Sequence, residues 1–149
     1  MVYRNDPNDP ATLSSNRVTA LLLERNGRLW VGTDRGLNRF DRETNCFTRF
    51  RYNAADGKSL ASDAITALLQ DGSGDIWIGT QGGGLDRLNP TTLEITHHTF
   101  RLDTSGSISS NFINDILEDK QQRLWVATES GLNLYDRSST TFEYVKHVI

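Results

Sequence analysis

Trp30-Val31-Gly32-Thr33-Asp34-Arg35-Gly36-Leu37-Asn38-Arg39-Phe40-Asp41 is the first of three readings of one pattern. The second is Trp77-Ile78-Gly79-Thr80-Gln81-Gly82-Gly83-Gly84-Leu85-Asp86-Arg87-Leu88-Asn89, and the third is Trp125-Val126-Ala127-Thr128-Glu129-Ser130-Gly131-Leu132-Asn133-Leu134-Tyr135-Asp136. Trp30 and Trp77 are 47 residues apart, Trp77 and Trp125 are 48 apart, and the extra residue is a glycine between Gln81 and Gly84. Val18, Ile65 and Ile113 each lie 12 residues before their tryptophan. Self-similarity at such a period marks a repeat architecture and decides the fold.

Each repeat reads as four short strands. In the first, Val18 to Glu24 is apolar and β-compatible, and Arg25-Asn26-Gly27 is a turn whose glycine suits a positive φ. Arg28 to Thr33 is the second strand, Leu37 to Asp41 the third, and Cys46 to Tyr52 the fourth. Strands of this length joined by tight turns form an antiparallel meander. The second repeat turns on Asp71-Gly72-Ser73-Gly74, whereas the third has Asp119-Lys120-Gln121-Gln122 without glycine, which predicts a looser turn or a strained residue. The first strand is apolar at both parities: Val18, Ala20 and Leu22 point one way, Leu21 and Leu23 the other. A strand apolar on both faces must be covered on both faces, and radial stacking of four-stranded blades does this. The fold class is therefore all-β, with three β-propeller blades of 47–48 residues.

Val2-Tyr3-Arg4 with the stretch Asp6 to Asn16 repeats Phe50-Arg51-Tyr52 with Asn53 to Asp63. The expected division of one structural domain is a preceding tail and entry loop over 1–16, then blades over 17–62, 63–110 and 111–149. Closed propellers need about 4–8 blades, so three leave two blade faces open. Expected partners are a second copy completing six blades head to tail, or further blades of a parent protein.

The rest of the composition excludes function classes. The net charge of -3 without a basic block argues against nucleic acid. The longest apolar run, Ala20 to Leu23, is far too short to span a membrane, and no direct membrane contact is expected. The stretch Met1 to Asp6 has no signal-peptide core. The single cysteine, Cys46, excludes an internal disulfide.

Trp30, Trp77 and Trp125 recur in one register and read as blade packing before sugar stacking. Thr33, Thr80 and Thr128 read as ligands of their own turns' backbone, and Gly36, Gly84 and Gly131 as positive-φ turn positions. Gly82-Gly83-Gly84 lacks the Lys-Ser/Thr and helix of a phosphate loop. His97-His98 looks like a metal pair, but adjacent strand residues face opposite sides, and His147 is the only other histidine. That pair reads as a solvated edge strand, and Asp6-Pro7-Asn8-Asp9 as a turn without the spacing of a calcium loop. No metal or cofactor is expected. No nucleophile and base cluster by sequence, so the chain reads as binding rather than catalytic. Repeated residues serve the scaffold, so the positions that vary between repeats are the candidate ligand contacts. They are Asp34, Arg35, Gln81, Gly82, Glu129 and Ser130, with Arg35 offering a bidentate donor for carboxylate or sulfate.

The motif Leu-Trp-Val-Gly-Thr-x-x-Gly-Leu-Asn-x-(Phe/Tyr)-Asp, with Asp-x-x-Gly turns before it and Ser-Leu-Ser-Ser-Asn-like loops after it, resembles the two-component regulator propeller repeat. The resemblance implies a periplasmic or extracytoplasmic sensor region, ahead of a membrane helix and a histidine kinase absent from these residues. It also implies that a carbohydrate is a candidate ligand. The alternatives are a protein–protein interaction module that self-associates blade to blade, and a propeller lyase or hydrolase.

Overall fold

The computed structural model describes residues 1–145, so His147 lies outside the described residues. Twelve strands form three four-stranded antiparallel sheets. Blade 1 holds β1 (Val18–Leu23), β2 (Leu29–Thr33), β3 (Gly36–Asp41) and β4 (Cys46–Phe50). Blade 2 holds β5 (Ile65–Gln70), β6 (Ile76–Thr80), β7 (Leu85–Leu88) and β8 (Ile95–His98). Blade 3 holds β9 (Ile113–Glu118), β10 (Leu124–Thr128), β11 (Gly131–Asp136) and β12 (Thr141–Tyr144). Each sheet is a simple meander, and β1, β5 and β9 lie against one another as the inner row. This is partial β-propeller architecture.

The seams between blades hold the core. Trp30 and Leu37 of blade 1 pack with Leu60 of the inter-blade loop and with Ile65, Ile76, Ile78 and Leu88 of blade 2. Trp77 and Leu85 of blade 2 pack with Ile113, Ile116, Leu124 and Tyr135 of blade 3. Trp30 and Trp77 thus each wedge into the next blade along the chain. Trp30 and Trp77 are 0% exposed, whereas Trp125, on which no further blade packs among the described residues, is half-buried. Its indole, with Ile116, Leu117, Ala127 and Leu132, borders an open concavity of about 350 Å³.

The parity expected for the first strand needs one correction. The β1–β2 register slips between Val18 and Ala20, and β5 slips at the same place between Ile65 and Ala67. Ile65 consequently packs with Leu68 against blade 1, while Ala67 and Leu69 pack against blade 3. By the same bulge, Val18 joins Leu21 and Leu23 rather than Ala20 and Leu22. Those three are 45%, 65% and 61% exposed. The outer half of that same face is covered by the entry segment. Leu13 packs on Val31 and Phe47, and the Tyr3 ring meets Phe40 and Phe47 edge-on at 5.3 and 5.5 Å.

The glycine-free turn carries its strain in one residue. Gly27 and Gly74 have φ of 87° and 98°, and Gln122 takes the same place at φ 61°. An L-residue there crowds its Cβ against the backbone, which glycine avoids.

Candidate functional site

The candidate ligand residues all sit at one end of the stack, in the β2–β3 turn and its blade 2 and blade 3 counterparts. Each turn is built on its threonine. Thr33 Oγ1 donates to the Gly36 carbonyl at 3.0 Å and accepts from the Arg35 N–H at 3.0 Å. Thr80 Oγ1 donates to the Gly84 carbonyl at 2.7 Å, and Thr128 Oγ1 to that of Gly131 at 3.1 Å. Gly36, Gly84 and Gly131 have φ of 125°, 86° and 114°, and a Cβ at Gly84 would lie 2.5 Å from the His98 carbonyl oxygen.

The loops between blades clamp these turns from both sides. On the near side, the N–H groups of Asp34, Gln81 and Glu129 donate to the carbonyls of Arg17, Ala64 and Phe112. On the far side, the Gly36 N–H donates to Asp63 and the Gly84 N–H to Asn111. Arg35, Gln81, Gly82, Glu129 and Ser130 are left exposed at the mouth, and Asp34 is half-buried. The Asp34 Oδ1 atom is shielded from solvent and accepts no hydrogen bond among the described residues. The six residues share a rim. The concavities of 210–480 Å³ in the molecule lie elsewhere.

Three polar networks escaped sequence reasoning. The first pairs every tryptophan with an acid six residues before it. The indole N–H groups of Trp30, Trp77 and Trp125 donate to Glu24, Asp71 and Asp119 at 2.8, 2.8 and 2.9 Å. Burial opposes ionisation of Asp71, but hydrogen bonds from Ser73, Trp77 and Arg137 hold its carboxyl below the usual range. The Trp125 indole does the same for Asp119, with Arg123 assisting. The constant spacing of six was the available signal.

The second network lies behind the mouth. Asn38 accepts from the Ser14 N–H at 2.9 Å and donates to Ser14 Oγ at 2.8 Å, and Ser14 Oγ also meets Thr33 Oγ1 at 2.8 Å. Asn133, Ser109 and Thr128 repeat this in blade 3. Blade 2 replaces the serine with Ala61 and the asparagine with Asp86. Its carboxylate is fully buried, accepts from the Ala61 N–H at 2.8 Å, and meets His97 Nδ1 at 2.6 Å.

The third network bears on the histidine pair, read as a solvated edge strand: β8 is the edge of its sheet and His97 is exposed, whereas His98 is half-buried. His97 Nε2 lies 2.9 Å from the Gly57 carbonyl, so both ring nitrogens face acceptors, which is the arrangement of an imidazolium. Burial alone would lower its pKa, but Asp86 and the Gly57 carbonyl raise it above the ordinary value. Burial pushes the Asp86 carboxyl up, against the hydrogen bonds from Ala61 and His97. His98 faces the other way. Its ring stacks on Trp77 at 5.6 Å and meets Tyr135 and Phe142 edge-on at 5.6 and 5.4 Å. Burial, with the charges of Arg87 and His97, lowers its pKa to about 4. No group of metal-ligating residues forms among the described residues, and no helix there is long and apolar enough to cross a membrane.

Known proteins share this architecture. The two component regulator propeller model matches residues 12–35, 59–82 and 107–130, one match per blade. No curated protein sequence matches the chain significantly. Among solved structures, the chain is similar to the extracellular domain assigned to a hybrid two component system, BT3049 of B. thetaiotaomicron. The identity is 26%, the TM-score 0.83, and the match covers 90% of this chain and 19% of that one. The extracellular domain of BT4673 from the same organism gives 19% identity and a TM-score of 0.80, over 97% of this chain and 20% of that one. Virginiamycin B lyase from Staphylococcus aureus shares the fold alone, with 15% identity and a TM-score of 0.62 over 95% of this chain and 43% of that one. The chain thus spans about a fifth of the length of the extracellular domains it resembles. Each of the three blades is thus a two component regulator propeller repeat.

Proposed function

We propose that this chain is a non-catalytic ligand-sensing segment of an extracytoplasmic two-component signalling propeller. The observation that carries the reading is the match to an extracellular two-component domain over 90% of the chain. The geometry supports it by separating scaffold from rim. Threonines, glycines and inter-blade loops fix the turns, while Asp34, Arg35, Gln81, Glu129 and Ser130 project from them without a repeated role. A carbohydrate suits such a rim, because hydroxyls exchange hydrogen bonds with carboxylate, amide and guanidinium groups. The test is a thermal melt against a panel of neutral and acidic oligosaccharides. A binder at about 100 times its Kd contributes about 2.7 kcal/mol, which raises Tm by several degrees. Arg35→Ala and Gln81→Ala should remove the shift. No shift across the panel, or a shift untouched by either change, would overturn the assignment of the rim.

The open faces raise the question of what covers them, and the seams favour a further blade over a second copy. Thr19 and Thr66 donate across their seams to the carbonyls of Ile65 and Ile113, both at 2.6 Å. The N–H groups of Arg25 and Gly72 donate to Gln70 and Glu118, both at 3.0 Å. Gly32 and Gly79 lie so close beneath Ile65 and Ile113 that a Cβ would come within 2.6 and 2.7 Å of their Cγ2 atoms. Blade 3 offers Asn114, Lys120 and Ala127 at these three positions. In a head-to-tail ring of two copies, the second copy would present Val18 and Leu23. Leu23 has no acceptor for the Lys120 N–H, and Val18 would meet the Ala127 methyl. The blade that fits carries an acceptor at the Leu23 register and a smaller residue at the Val18 register. Light scattering after size exclusion should therefore give the mass of one chain at micromolar concentration. A mass of two chains would reverse this reading.

A further inference from the structure

Each blade lays a guanidinium over its tryptophan. Arg39, Arg87 and Arg123 lie 5.8, 5.2 and 5.3 Å from the ring centroids of Trp30, Trp77 and Trp125. In blades 2 and 3 that cation is neutralised: Arg87 pairs with Asp75 at 2.7 Å, and Arg123 with Asp119 at 2.6 Å. Blade 1 is different. Arg28 stands where blade 2 has Asp75, so the partner of Arg39 is a second cation. Arg39 makes no ion pair or hydrogen bond through its guanidinium among the described residues, and is held also over Phe50 at 5.7 Å.

The two guanidiniums line a cleft of about 250 Å³ between blades 1 and 2, with Glu24, Asn26, Thr91 and Leu93. It lies at the end of the stack opposite the mouth. Glu24 supplies one carboxylate for two cations. That carboxylate is already committed to the Trp30 indole, with Arg28 Nε 3.8 Å away. Leu93 at the lip holds a left-handed φ of 64°, at the turn position where blade 1 has Asn45. Asn45 and Thr140 hold left-handed φ of 58° and 56° at the same turn position, so this conformation belongs to the repeat. Arg28 and Arg39 also border a second concavity of about 480 Å³, where Arg42 stands beside Asp41 and Glu43. The Asp41 carboxylate is engaged there by the N–H groups of its own turn.

We propose that the Arg28–Arg39 cleft binds a small oxyanion, the carboxylate or sulfate group of a ligand, which takes the place that Asp75 holds beside Arg87. Guanidinium forks match such groups bidentately, and a cation partly withdrawn from water over aromatic rings gains most from a direct counter-charge. The volume accommodates the anionic group and a few attached atoms, not an extended chain. The site does not involve the mouth residues, so its failure would leave the sensor reading intact.

Sulfate and acetate can be titrated into the full chain against chloride at matched ionic strength, monitoring the Trp30 and Trp77 indole N–H resonances. The Trp30 signal should move saturably with sulfate, acetate or both, while that of Trp77, beside the neutralised Arg87, should not. Arg28→Asp recreates the blade 2 pair and should weaken binding at least tenfold while keeping the fold. Arg39→Leu, which copies Leu134 of blade 3, should do the same. The proposal is overturned if the Trp30 signal responds equally to chloride, or if Arg28→Asp binds as the parent does.

Discussion

Replacing Trp77 by alanine is expected to destabilise the chain by about 3–5 kcal/mol, the range for emptying a fully buried tryptophan site. The same change at Trp125 should cost about 1–2 kcal/mol, because part of that indole is still in water. The two residues occupy one register of one repeat and make the same indole bond to an acid. They differ in their cover: Trp77 has a blade beyond it and Trp125 has none among the described residues. Trp77 is enclosed by Ile113, Ile116, Leu124 and Tyr135, with His98 stacked on its ring. Its removal also leaves the buried Asp71 without one donor. Urea unfolding of the two variants side by side provides the measurement. Equal losses would mean that Trp125 is covered in solution, and the open face of blade 3 would have to be occupied.

The second large effect is a dependence of stability on acid that one substitution should remove. The folded chain holds the His98 pKa at about 4, against an ordinary 6.5. A group depressed in this way contributes its stability above pH 6.5 and loses it as the pH falls toward 4, because the unfolded chain takes up a proton that the folded chain refuses. With the ring partly open to solvent, the loss is about 1–2 kcal/mol. His97 has the opposite sign. Its raised pKa contributes stability below pH 6.5, lost as the pH rises through the folded value. Tyr3 and Phe50 occupy the register of His98 in the preceding repeats, so His98→Phe restores the repeat's own choice. The variant should melt higher than the parent, by a margin that widens between pH 6.5 and 4. Asp86, raised by burial, works against this trend but is present in both chains. Asp71 and Asp119, held low, act only below the ordinary carboxylate range near 3.8. A constant margin across that window would show that His98 does not titrate on unfolding.

The repeating features were legible in the sequence. The tryptophan spacing fixed the blade count, and alternating turns and apolar runs located the strands to within two residues. The bulge after Val18 was not legible, because a one-residue slip leaves no mark on an apolar run and shows only in which neighbour each side chain meets. The histidine pair was only half legible for a related reason: His97 is exposed, as a solvated edge strand predicts, but His98 is half-buried. Opposite faces were inferred correctly, but solvation depended on Asp86 and Trp77, which lie in other strands. The mouth residues were found by their failure to repeat. The same comparison, applied to Arg28 against Asp75, would have found the cationic cleft. It was hidden because strand positions were assigned to the scaffold in advance.

The seam contacts have a direction. Thr19, Arg25, Thr66 and Gly72 donate from the earlier blade and the later blade accepts, and only Arg137, which donates back to Asp71 at 3.1 Å, runs against them. An array built this way is polar, as a filament with distinct ends is polar, and its subunits cannot be reversed or shuffled freely. The unit that must stay together is then the seam, half from one blade and half from the next. The methyl group of Ala127, where the other blades have Gly32 and Gly79, narrows what can pack on that face.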